Sequence, residues 1–392
     1  MTKSASLLLI SHEYPPYVFG GIAYYSQQLA EWLGNKGWKV YVVTGKAGHK
    51  EGLKIEKREN VTIIRVYFPD IPPRWVLYAK IAEKYITFLI NKGIRLVLSN
   101  NLLTGLIPSL RRHKVKTYTI HHGTVYAIMP FFESAPYIVN TNLNELIYYA
   151  GYPLLKTWQR KDINYSDFNI FVANHLKLEA EQLYPELISK IRQRSAVIYP
   201  GVEYKHLQIL RQAYPRQRKR TLIVVFVGRL YYTKGITYAV ETIETLYRQG
   251  YKKIQLWVFG TGPLRNWVIK KSRQLPVKYF GFVKRERLLT LMATHADVLL
   301  HPSLYEGAPM TIIEAQALGI PVVTFDLSWT GEFIIHGVNG YKVPLQDPQQ
   351  LAEALLKAVE LSPEKVALTA MRFDKDVTYS AFEKLLEKAI YE

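Results

Sequence analysis

The sequence predicts an α/β fold of two doubly wound parallel-sheet domains that face a central cleft. Strand-like apolar runs alternate with helix-patterned segments, as at SLLLIS (6–11), KVYVVT (39–44) and RLVLSN (95–100). A polar, basic stretch (214–220) interrupts this pattern, which begins again with the apolar run TLIVVFVGR (221–229). The length of 392 residues also favours two domains of ordinary size over a single core.

The interruption sets the predicted domain boundaries. Residues 1–205 form the first domain and residues 206–220 form a linker. Residues 371–392 are expected to form a C-terminal helix that crosses back to the first domain. Residues 221–370 form the second domain, and its further strands are predicted at 254–260, 277–281, 296–302 and 321–326. Because ligands of open α/β sheets bind at the carboxyl ends of the strands, the residues that follow strands are the candidates for function.

The composition narrows the class of protein. The chain has no cysteine, which excludes disulfides, zinc-thiolate sites, iron-sulfur clusters and cysteine nucleophiles. With 51 Lys and Arg against 32 Asp and Glu, the net charge is +19, which predicts an anionic partner. Nucleic acid, an acidic membrane face and a phosphorylated substrate all fit that charge.

Two segments raise the question of a membrane. No apolar run approaches the roughly 18 to 20 residues that span a bilayer, and the apolar run near the N-terminus is too short for a secretory signal. We therefore expect a cytoplasmic protein. The helix-patterned segment 74–92 has basic ends and suits interfacial binding, but burial of an ordinary amphipathic helix explains it equally well. The aromatic-rich segment 125–158 fits a substrate site, a membrane contact or simply core.

The first domain offers two candidate groups. The paired glycines Gly20 and Gly21 precede an amphipathic helix, where backbone N–H groups can approach a phosphate or a sugar. An ordinary tight turn is the alternative. His121 and His122 end the strand predicted at 116–122, where a histidine can bind a sugar hydroxyl or transfer a proton. A buried structural histidine is equally compatible with this position.

The second domain offers cations and glycines after its strands. Arg229 and Lys234 follow the strand at 221–229 and suit a diphosphate, although solvated surface cations are the plain alternative. Gly260 and Gly262 follow the next strand and would let a ligand approach the backbone closely.

The stretch HPSLYEGAPMTIIEAQALGIPVV (301–323) carries two glutamates, Glu306 and Glu314. Residues eight apart on one helix lie about 80° out of line, so the spacing places Glu306 in a loop and Glu314 on the following helix. Pro309 is predicted at the first helical position and Gly319 at the helix end. A carboxylate at position 314 can accept hydrogen bonds from both hydroxyls of a ribose, and two surface glutamates are the alternative.

Together these motifs resemble the retaining glycosyltransferases of family 4, which have the GT-B fold of two Rossmann-like domains. The resemblance covers nearly the whole chain. It rests on PPYVFGG, TIHHGT, VIYPGVE, VGRLYYTKG, GTGP and the stretch 301–323. The last of these is the most specific, because its two glutamates stand among the family's flanking residues.

The resemblance implies a role for each candidate. Gly20 and Gly21 would line the phosphates of the donor. His121 would contact the donor sugar near the reacting carbon, with His122 as the second choice. The second domain would supply the other contacts: Arg229 and Lys234 at the leaving diphosphate, Glu306 at the sugar or its phosphate, Glu314 at the ribose, the backbone of Gly281, Phe282 and Val283 at the base, and further donor contacts at Gly260, Gly262, Gly307 and Ala308.

The implied reaction moves a sugar, with retention, from a nucleotide-diphosphate sugar to a lipid-linked, saccharide or small-molecule acceptor. It would use no metal and no cofactor and would serve carbohydrate biosynthesis at the cytoplasmic side, with peripheral contact to an anionic inner membrane face. The sequence departs from the family at two places, Ala308-Pro309 in place of Phe-Gly and Trp329-Thr330 in place of Gly-Gly. These departures bear on the identity of the donor sugar.

Other functions remain open at this point. A GT-B phosphorylase or a sugar-nucleotide epimerase would use the same fold. The net charge also motivates a nucleic-acid-binding protein. Since the sequence contains no nucleic-acid-binding motif, a nucleic-acid partner is the least favoured of these expectations.

Overall fold

The computed structural model describes residues 5–18, 20–47, 54–68, 74–100, 104, 106–128, 151–214 and 221–391. The chain divides into two compact units. The first holds the described residues of Met1–Tyr126, Ile147–Gly201 and Asp376–Glu392, and the second holds those of Ala127–Leu146 and Val202–Lys375.

The first unit is built on a sheet that has eight strands among the described residues. The strands are β1 (Ser6–Ser11), β2 (Lys39–Ala47), β3 (Lys54–Arg58), β4 (Val61–Phe68), β5 (Leu96–Asn100), β6 (Lys116–His121), β7 (Phe168–Phe171) and β8 (Ser195–Val197). Their order is β3-β4-β2-β1-β5-β6-β7-β8. Neighbouring strands are parallel, except that β3 and β4 are antiparallel. The helices between them are α1 (Gly21–Asn35), α2 (Arg74–Asn91), α3 (Ile107–Arg112), α4 (Tyr152–Tyr165), α5 (Asn174–Leu183) and α6 (Ile188–Gln193).

The second unit is built on a parallel sheet of six strands among its described residues. The strands are β9 (Leu222–Val227), β10 (Ile254–Phe259), β11 (Val277–Gly281), β12 (Val298–Leu300), β13 (Val322–Phe325) and β14 (Gly340–Val343), in the order β11-β10-β9-β12-β13-β14. Its helices are α7 (Tyr204–Ala213), α8 (Ile236–Arg248), α9 (Arg265–Ser272), α10 (Arg285–His295), α11 (Met310–Ala317), α12 (Pro348–Ala358) and α13 (Pro363–Thr369).

Each sheet has a point where the strand order reverses. In the first sheet the chain builds outward from β1 on one side and from β5 on the other, and in the second sheet β9 and β12 play these parts. In doubly wound folds, the loops that follow such a pair of strands diverge and leave a crevice in which ligands bind. The predicted α/β class, with two parallel sheets, is confirmed, and the reversal points show where to look for function.

The amphipathic segment predicted at 74–92 forms α2. Its buried residues, among them Tyr78, Ala82 and Ile86, belong to the core cluster that includes Ile64 and Val66 of β4. The Tyr78 hydroxyl also donates to the Val43 carbonyl at 2.6 Å. Burial within the unit therefore explains the apolar face of this helix. No helix among the described residues combines the length and the apolar character needed to cross a bilayer.

The predicted linker differs from the structure. Helix α7 (Tyr204–Ala213) occupies part of the span 206–220, with Leu207 buried. It packs against α10 and α11 of the second unit, where the Gln208 amide donates to the Ala317 carbonyl. The helix was not predicted because the segment is mostly polar and basic, and only a narrow apolar stripe of the helix is buried. Residues 215–220 lie outside the described residues, as does the larger part of the aromatic-rich segment, residues 129–150.

The last helix, α14 (Lys375–Tyr391), packs on the first unit. The Trp32 indole donates to Asp376 Oδ1 at 3.1 Å, and Lys116 Nζ donates to the Ala389 carbonyl at 2.8 Å. The Tyr379 ring meets the Trp32 ring edge-on, with centroids 5.9 Å apart. These contacts describe how a C-terminal helix after residue 371 is held.

We predict that Gly235→Ala destabilises the protein more than Gly250→Ala. Both glycines have positive φ, +75° and +97°, so alanine at either position costs about 1–2 kcal/mol of backbone strain. A Cβ at Gly235 would also lie 1.9 Å from the Pro302 carbonyl oxygen, whereas a Cβ at Gly250 meets no described atom within 4 Å. Melting temperatures of the two variants test this difference, and equal losses would contradict it.

Candidate functional site

A buried ion pair joins the loops that follow β9 and β12, the two strands at the reversal point of the second sheet. Lys234 Nζ lies 2.7 Å from Glu306 Oε1 and 3.5 Å from the Tyr305 carbonyl oxygen. His301 Nε2 lies 3.0 Å from the same carboxylate oxygen. The side chains of Lys234 and Glu306 are 21% and 14% exposed, so the pair is largely shielded from water. The predicted loop position of Glu306 is confirmed.

The backbone brings these two loops together. Gly235, directly after Lys234, lies against the Pro302 carbonyl at a distance that leaves no room for a Cβ. The Leu304 amide donates to the Thr233 carbonyl at 2.9 Å, and the Ser303 hydroxyl donates to it at 3.3 Å. The approach of Lys234 to Glu306 is thus built into the main chain.

The ion pair determines the protonation state of Glu306. Burial by itself would raise the pKa of Glu306, but the Lys234 ammonium and the hydrogen bond from His301 outweigh it and hold that pKa well below its usual value. Because an ionised carboxylate only accepts, His301 Nε2 is the donor. The other ring nitrogen of His301, Nδ1, is buried and has no hydrogen-bond partner among the described residues.

Arg229 and Lys234 differ in their surroundings, although the sequence predicts them together. Arg229 is exposed, and its guanidinium carbon lies 5.1 Å from the centroid of the Tyr231 ring. Arg229 is therefore accessible to an anion from solvent, whereas Lys234 is held by its carboxylate partner. The structure thus provides one exposed and one largely buried cation after the same strand.

Glu314 lies on α11, as predicted, and carries an ion pair that sequence reasoning missed. Arg285, at the start of α10, places Nε at 2.8 Å and Nη2 at 2.6 Å from Glu314 Oε1. Both nitrogens bind the same oxygen, which leaves Oε2 for another donor. Burial by itself would lower the pKa of Arg285. The negative charges of Glu314 and Glu203 outweigh this effect and raise the pKa above its ordinary value, so the guanidinium stays charged. Arg285 and Glu314 are 29 positions apart along the chain, so no local sequence motif predicts this ion pair.

The start of α11 differs by one residue from the prediction. Pro309 precedes the helix as its N-cap residue, with φ −78° and ψ 88°, and Met310 is the first helical residue. The Pro309 carbonyl accepts the first α-helical hydrogen bond, from the Ile313 amide at 3.3 Å, and also accepts from the Ile312 amide at 2.9 Å. The predicted helix end is close to that observed, since Gly319, with φ +72°, follows the last turn. Gly307 and Ala308 lie half-buried in the loop before the helix.

Trp329, one of the departures from the family, lies next to this cluster. The Trp329 side chain is 1% exposed, and its ring meets the His301 ring edge-on with centroids 6.2 Å apart. A bulky indole thus fills space beside the residue that holds Glu306. Thr330, the next residue, donates its hydroxyl to the Leu327 carbonyl at 2.7 Å and stabilises the turn.

The structure gives a local reason for two glycines that the sequence assigned to ligand approach. A Cβ at Gly260, where φ is +128°, would lie 1.9 Å from the Gly228 carbonyl oxygen. A Cβ at Gly262 would lie 2.7 Å from the Leu230 carbonyl oxygen. The backbone of the preceding strand end, not only a ligand, therefore requires glycine at these positions.

The residues predicted to read the base follow β11. Gly281 ends that strand with φ +73°, and its carbonyl accepts a hydrogen bond from the Gly260 amide at 2.8 Å. Phe282 is 64% exposed, and Val283 is half-buried. Their backbone thus lies at the surface of the unit, beside the loop that follows β10.

Gly20 and Gly21 lie where β1 leads into α1, at the reversal point of the first sheet. The Gly20 amide donates to Glu13 Oε2 at 2.8 Å, and Glu13 is buried. The φ of Gly20, −161°, is open to any residue. A Cβ on Gly21 would meet no described atom within 4 Å. The described part of the chain therefore does not itself require glycine at position 21.

His121 ends β6 and faces the protein interior. It is 1% exposed, its Nε2 lies 2.8 Å from Asn169 Oδ1, and its ring stacks on Phe171 with centroids 4.8 Å apart. Burial lowers the pKa of His121 to about 4, although the hydrogen bond that its Nε2 donates to Asn169 acts against this effect. His121 is thus a neutral, packed side chain at pH 7.

His122 is half-buried and belongs to a polar chain across the strand ends. Asn100, at the end of β5, accepts from His122 Nε2 at 2.9 Å and donates to the Ser26 hydroxyl at 2.7 Å. Because the Asn100 amide nitrogen is committed to Ser26, the proton of His122 lies on Nε2 and Nδ1 stays unprotonated. Burial, with the repulsion of His121 and His12, lowers the pKa of His122 to about 3.

Two family models match consecutive parts of this chain. The model "Glycosyltransferase Family 4" matches residues 19–206, and the model "Glycosyl transferases group 1" matches residues 211–371. These ranges contain Gly20 and Gly21, and also the loops after β6, β9 and β12 in which further candidate residues lie. The chain is a family 4-like glycosyltransferase of the GT-B type.

Curated relatives resemble this glycosyltransferase over most of its length. It is 26% identical to an uncharacterised glycosyltransferase of Methanocaldococcus jannaschii, in an alignment that covers 88% of this chain and 87% of the relative. It is 24% identical to a glycogen synthase of Mycobacterium tuberculosis, covering 90% and 86% of the two chains. The similarity therefore includes both units.

Solved structures share the fold of this glycosyltransferase. Sucrose-phosphate synthase from Thermosynechococcus elongatus superposes with a TM-score of 0.77 at 21% identity and 99% coverage of both chains. The Anabaena protein HepE in complex with UDP-glucose gives a TM-score of 0.67 at 16% identity, with 98% and 99% coverage. At these identities the likeness establishes the fold.

We predict that the stability contributed by ionised Glu306 depends on pH in one direction. The pKa of Glu306 is lower in the folded chain than its ordinary value of 4.5, so the folded state favours the ionised form at higher pH. The unfolding free energy of the wild type relative to Glu306→Gln should be steady from pH 7 to about 5 and should shrink as the pH falls below 4.5. Denaturant titrations at several pH values measure this difference.

At pH 7 the Glu306→Gln variant should lose about 3–5 kcal/mol, because Lys234 stays buried without its counter-charge. Glu244→Gln is the control, since Glu244 pairs with Arg248, whose side chain is 77% exposed. That substitution should cost less than about 1 kcal/mol. A difference between wild type and Glu306→Gln that grows toward acid pH would contradict the assignment.

Proposed function

We propose that this glycosyltransferase transfers a sugar, with retention, from a nucleotide-diphosphate sugar to a lipid-linked, saccharide or small-molecule acceptor. The proposal includes no metal and no cofactor. The observation that carries it is the Lys234–Glu306 pair at the reversal point of the second sheet, with His301 behind it. Charged groups held at such a point, with a second exposed cation nearby, suit an anionic ligand that departs during the reaction.

The leaving diphosphate would be bound by Lys234 and Arg229. Lys234 has three N–H donors, of which one binds Glu306 and another points to the Tyr305 carbonyl. The third would bind a phosphate oxygen, and the exposed guanidinium of Arg229 would bind the same group from another direction. Cations fixed in place before the reaction stabilise developing negative charge without reorganisation. Glu306 would orient Lys234 and contact the donor sugar or its phosphate.

The ribose of the donor would be bound by Glu314. Because Arg285 occupies Oε1 through two hydrogen bonds, the carboxylate is fixed and its Oε2 is directed elsewhere. Ribose hydroxyls are donors and would bind an ionised carboxylate strongly. The backbone at Gly281, Phe282 and Val283 is our proposal for contacts with the base.

Of the two histidines, we propose that His122 contacts the donor sugar. His121 is the first choice on the resemblance, but it is packed under Phe171 and bound to Asn169. His122 is more accessible, and Asn100 fixes the direction of its ring. A neutral imidazole in this position offers hydrogen bonds rather than positive charge. Gly21, which the described protein atoms leave uncrowded, would allow the phosphates to approach the start of α1.

A structural relative supports this donor class. HepE, whose fold resembles that of this chain, was solved in complex with UDP-glucose. A role in carbohydrate biosynthesis and a cytoplasmic place beside an anionic membrane face complete the proposal. The net charge of +19 supports the membrane contact.

We predict that Lys234→Ala and Glu314→Ala lose activity for different reasons. Without Lys234 the leaving diphosphate is not stabilised, and kcat should fall about 10²- to 10³-fold. Without Glu314 the ribose loses a charge-assisted contact, and KM for the donor should rise about 10-fold or more. The release of nucleoside diphosphate in the presence of an acceptor extract measures both constants.

Lys271→Ala is the matched control for the lysine variant. Lys271 lies 3.3 Å from Glu244 and is 30% exposed, so it forms a lysine–glutamate pair outside the proposed site. The activity of the Lys271→Ala variant should equal that of the wild type. Wild-type turnover in both Lys234→Ala and Glu314→Ala, with intact folding, would overturn the site assignment.

We predict that one of UDP, GDP and ADP, with its sugar conjugates, raises the melting temperature of the wild type. A ligand at about 100 times its Kd adds about 2.7 kcal/mol to the stability of a native state that alone binds it. Gly21→Ala should fold normally and weaken this shift, because its methyl group enters the space proposed for the phosphates. Gly262→Ala should instead lower the melting temperature without ligand, since its Cβ meets Leu230. No shift with any nucleotide would count against the donor class.

A further inference from the structure

A fully buried arginine on β4 lies apart from the residues discussed above. Arg65 is 1% exposed, although an arginine is almost never buried unless its charge is paired. Its Nε lies 2.8 Å from Glu56 Oε1 and its Nη2 lies 3.2 Å from Glu56 Oε2, a bidentate ion pair between β4 and the antiparallel edge strand β3. The hydrogen bonds from Arg65 also hold the pKa of Glu56 below its ordinary value.

The remaining donors of Arg65 bind the backbone of the loop between β1 and α1. Nη1 donates to the Tyr14 carbonyl at 3.2 Å, and Nη2 donates to the Pro15 carbonyl at 2.6 Å. The guanidinium carbon lies 5.7 Å from the Tyr14 ring centroid and 5.6 Å from that of Tyr17. One side chain therefore binds the loop through two carbonyls and two aromatic rings.

The loop is held at further points that continue toward Gly20. Tyr14 and Tyr17 exchange two backbone hydrogen bonds, at 3.2 and 3.1 Å. One residue before Tyr14, the Glu13 carboxylate accepts from the Gly20 amide at 2.8 Å. These hydrogen bonds connect the residues that Arg65 contacts with the start of α1.

Stability alone is a poor explanation for this arrangement. Burying a charged pair costs desolvation energy, and apolar residues of similar size often stabilise a core as well or better. What a rigid planar guanidinium supplies, and an apolar side chain does not, is a fixed direction for two carbonyl groups. We therefore infer that the buried arginine serves to position the loop between β1 and α1.

We propose that Arg65 is a positioning residue that fixes the β1–α1 loop for the donor phosphates, and that Glu56 orients Arg65 for this purpose. The proposal rests on the function assigned above to Gly20 and Gly21. Arg65 does not itself touch the donor. It acts through the carbonyls of Tyr14 and Pro15, and its loss changes how well the loop is preorganised.

The test compares Arg65→Lys and Glu56→Gln with Arg95→Lys. Lysine retains a charge but cannot bind two carbonyls and a carboxylate in fixed directions, and Glu56→Gln removes the counter-charge that orients Arg65 while the arginine itself is kept. Arg95 is the control: it is exposed, and its Nη1 also donates to two backbone carbonyls of this unit, those of Ile90 and Ile94, at 2.9 and 3.1 Å. Melting temperatures confirm that each variant is folded.

Two readouts are needed. Hydrogen exchange followed by mass spectrometry should show faster exchange in peptides that cover residues 12–22 for Arg65→Lys and Glu56→Gln, but not for Arg95→Lys. KM for the nucleotide-sugar selected in the thermal-shift screen should rise about 10-fold in the two loop variants, with a smaller change in kcat, because preorganised donor binding is lost.

The outcomes separate this proposal from the proposed function. Unchanged exchange in both loop variants shows that Arg65 does not fix the loop, and faster exchange with unchanged KM shows that the loop does not serve the donor. Either result overturns the proposal. If the wild type binds no nucleotide, the proposed function fails, and the exchange measurement still decides whether Arg65 holds the loop.

Discussion

The ion pair between Lys234 and Glu306 is the interaction on which the arrangement of the second unit depends. A lysine and a glutamate at 2.7 Å, both largely shielded from water, are stable only if neither is left without the other. The pair joins the loops after β9 and β12, the central strands from which the two halves of the sheet are built. Because these loops are tied together, the cation is already in place before any ligand arrives.

Glycine makes this approach of the two loops geometrically feasible. Gly235 follows Lys234 directly, and a Cβ there would overlap the Pro302 carbonyl four residues ahead of Glu306. Gly260 and Gly262 serve the neighbouring loop in the same way, against Gly228 and Leu230. Glycine at these three positions thus allows neighbouring loops to lie close to one another. Gly21 is the contrast, since the described atoms around it leave its α-carbon uncrowded.

After β5 and β6 the first unit has a chain of neutral polar groups, whereas the second unit has an ion pair after β9 and β12. His122, Asn100 and Ser26 form hydrogen bonds that link the ends of β6 and β5 to the second turn of α1. Burial lowers the pKa of His122 to about 3 and keeps the ring uncharged, and the hydrogen bond to Asn100 fixes the orientation of the ring. A fixed ring and an uncrowded helix start are consistent with the donor contacts proposed for this unit, and a separate, buried ion pair positions the loop that precedes the helix.

The sequence by itself determined the α/β class, nine of the fourteen described strands and the loop-and-helix placement of Glu306 and Glu314, because alternating apolar runs and the residues after strands are local signals. It named no strand at β3, β4, β7, β8 or β14. It missed α7, whose narrow apolar stripe is hidden in a basic segment, and it placed Pro309 one position too far into α11. Only the tertiary structure revealed His301, Arg285 and Arg65 as partners. Ion pairs and loop contacts between residues distant along the chain arise from packing, which no local pattern records. The same reason separates the two adjacent histidines, since neighbours on a strand face opposite sides and only the fold decides which side is packed.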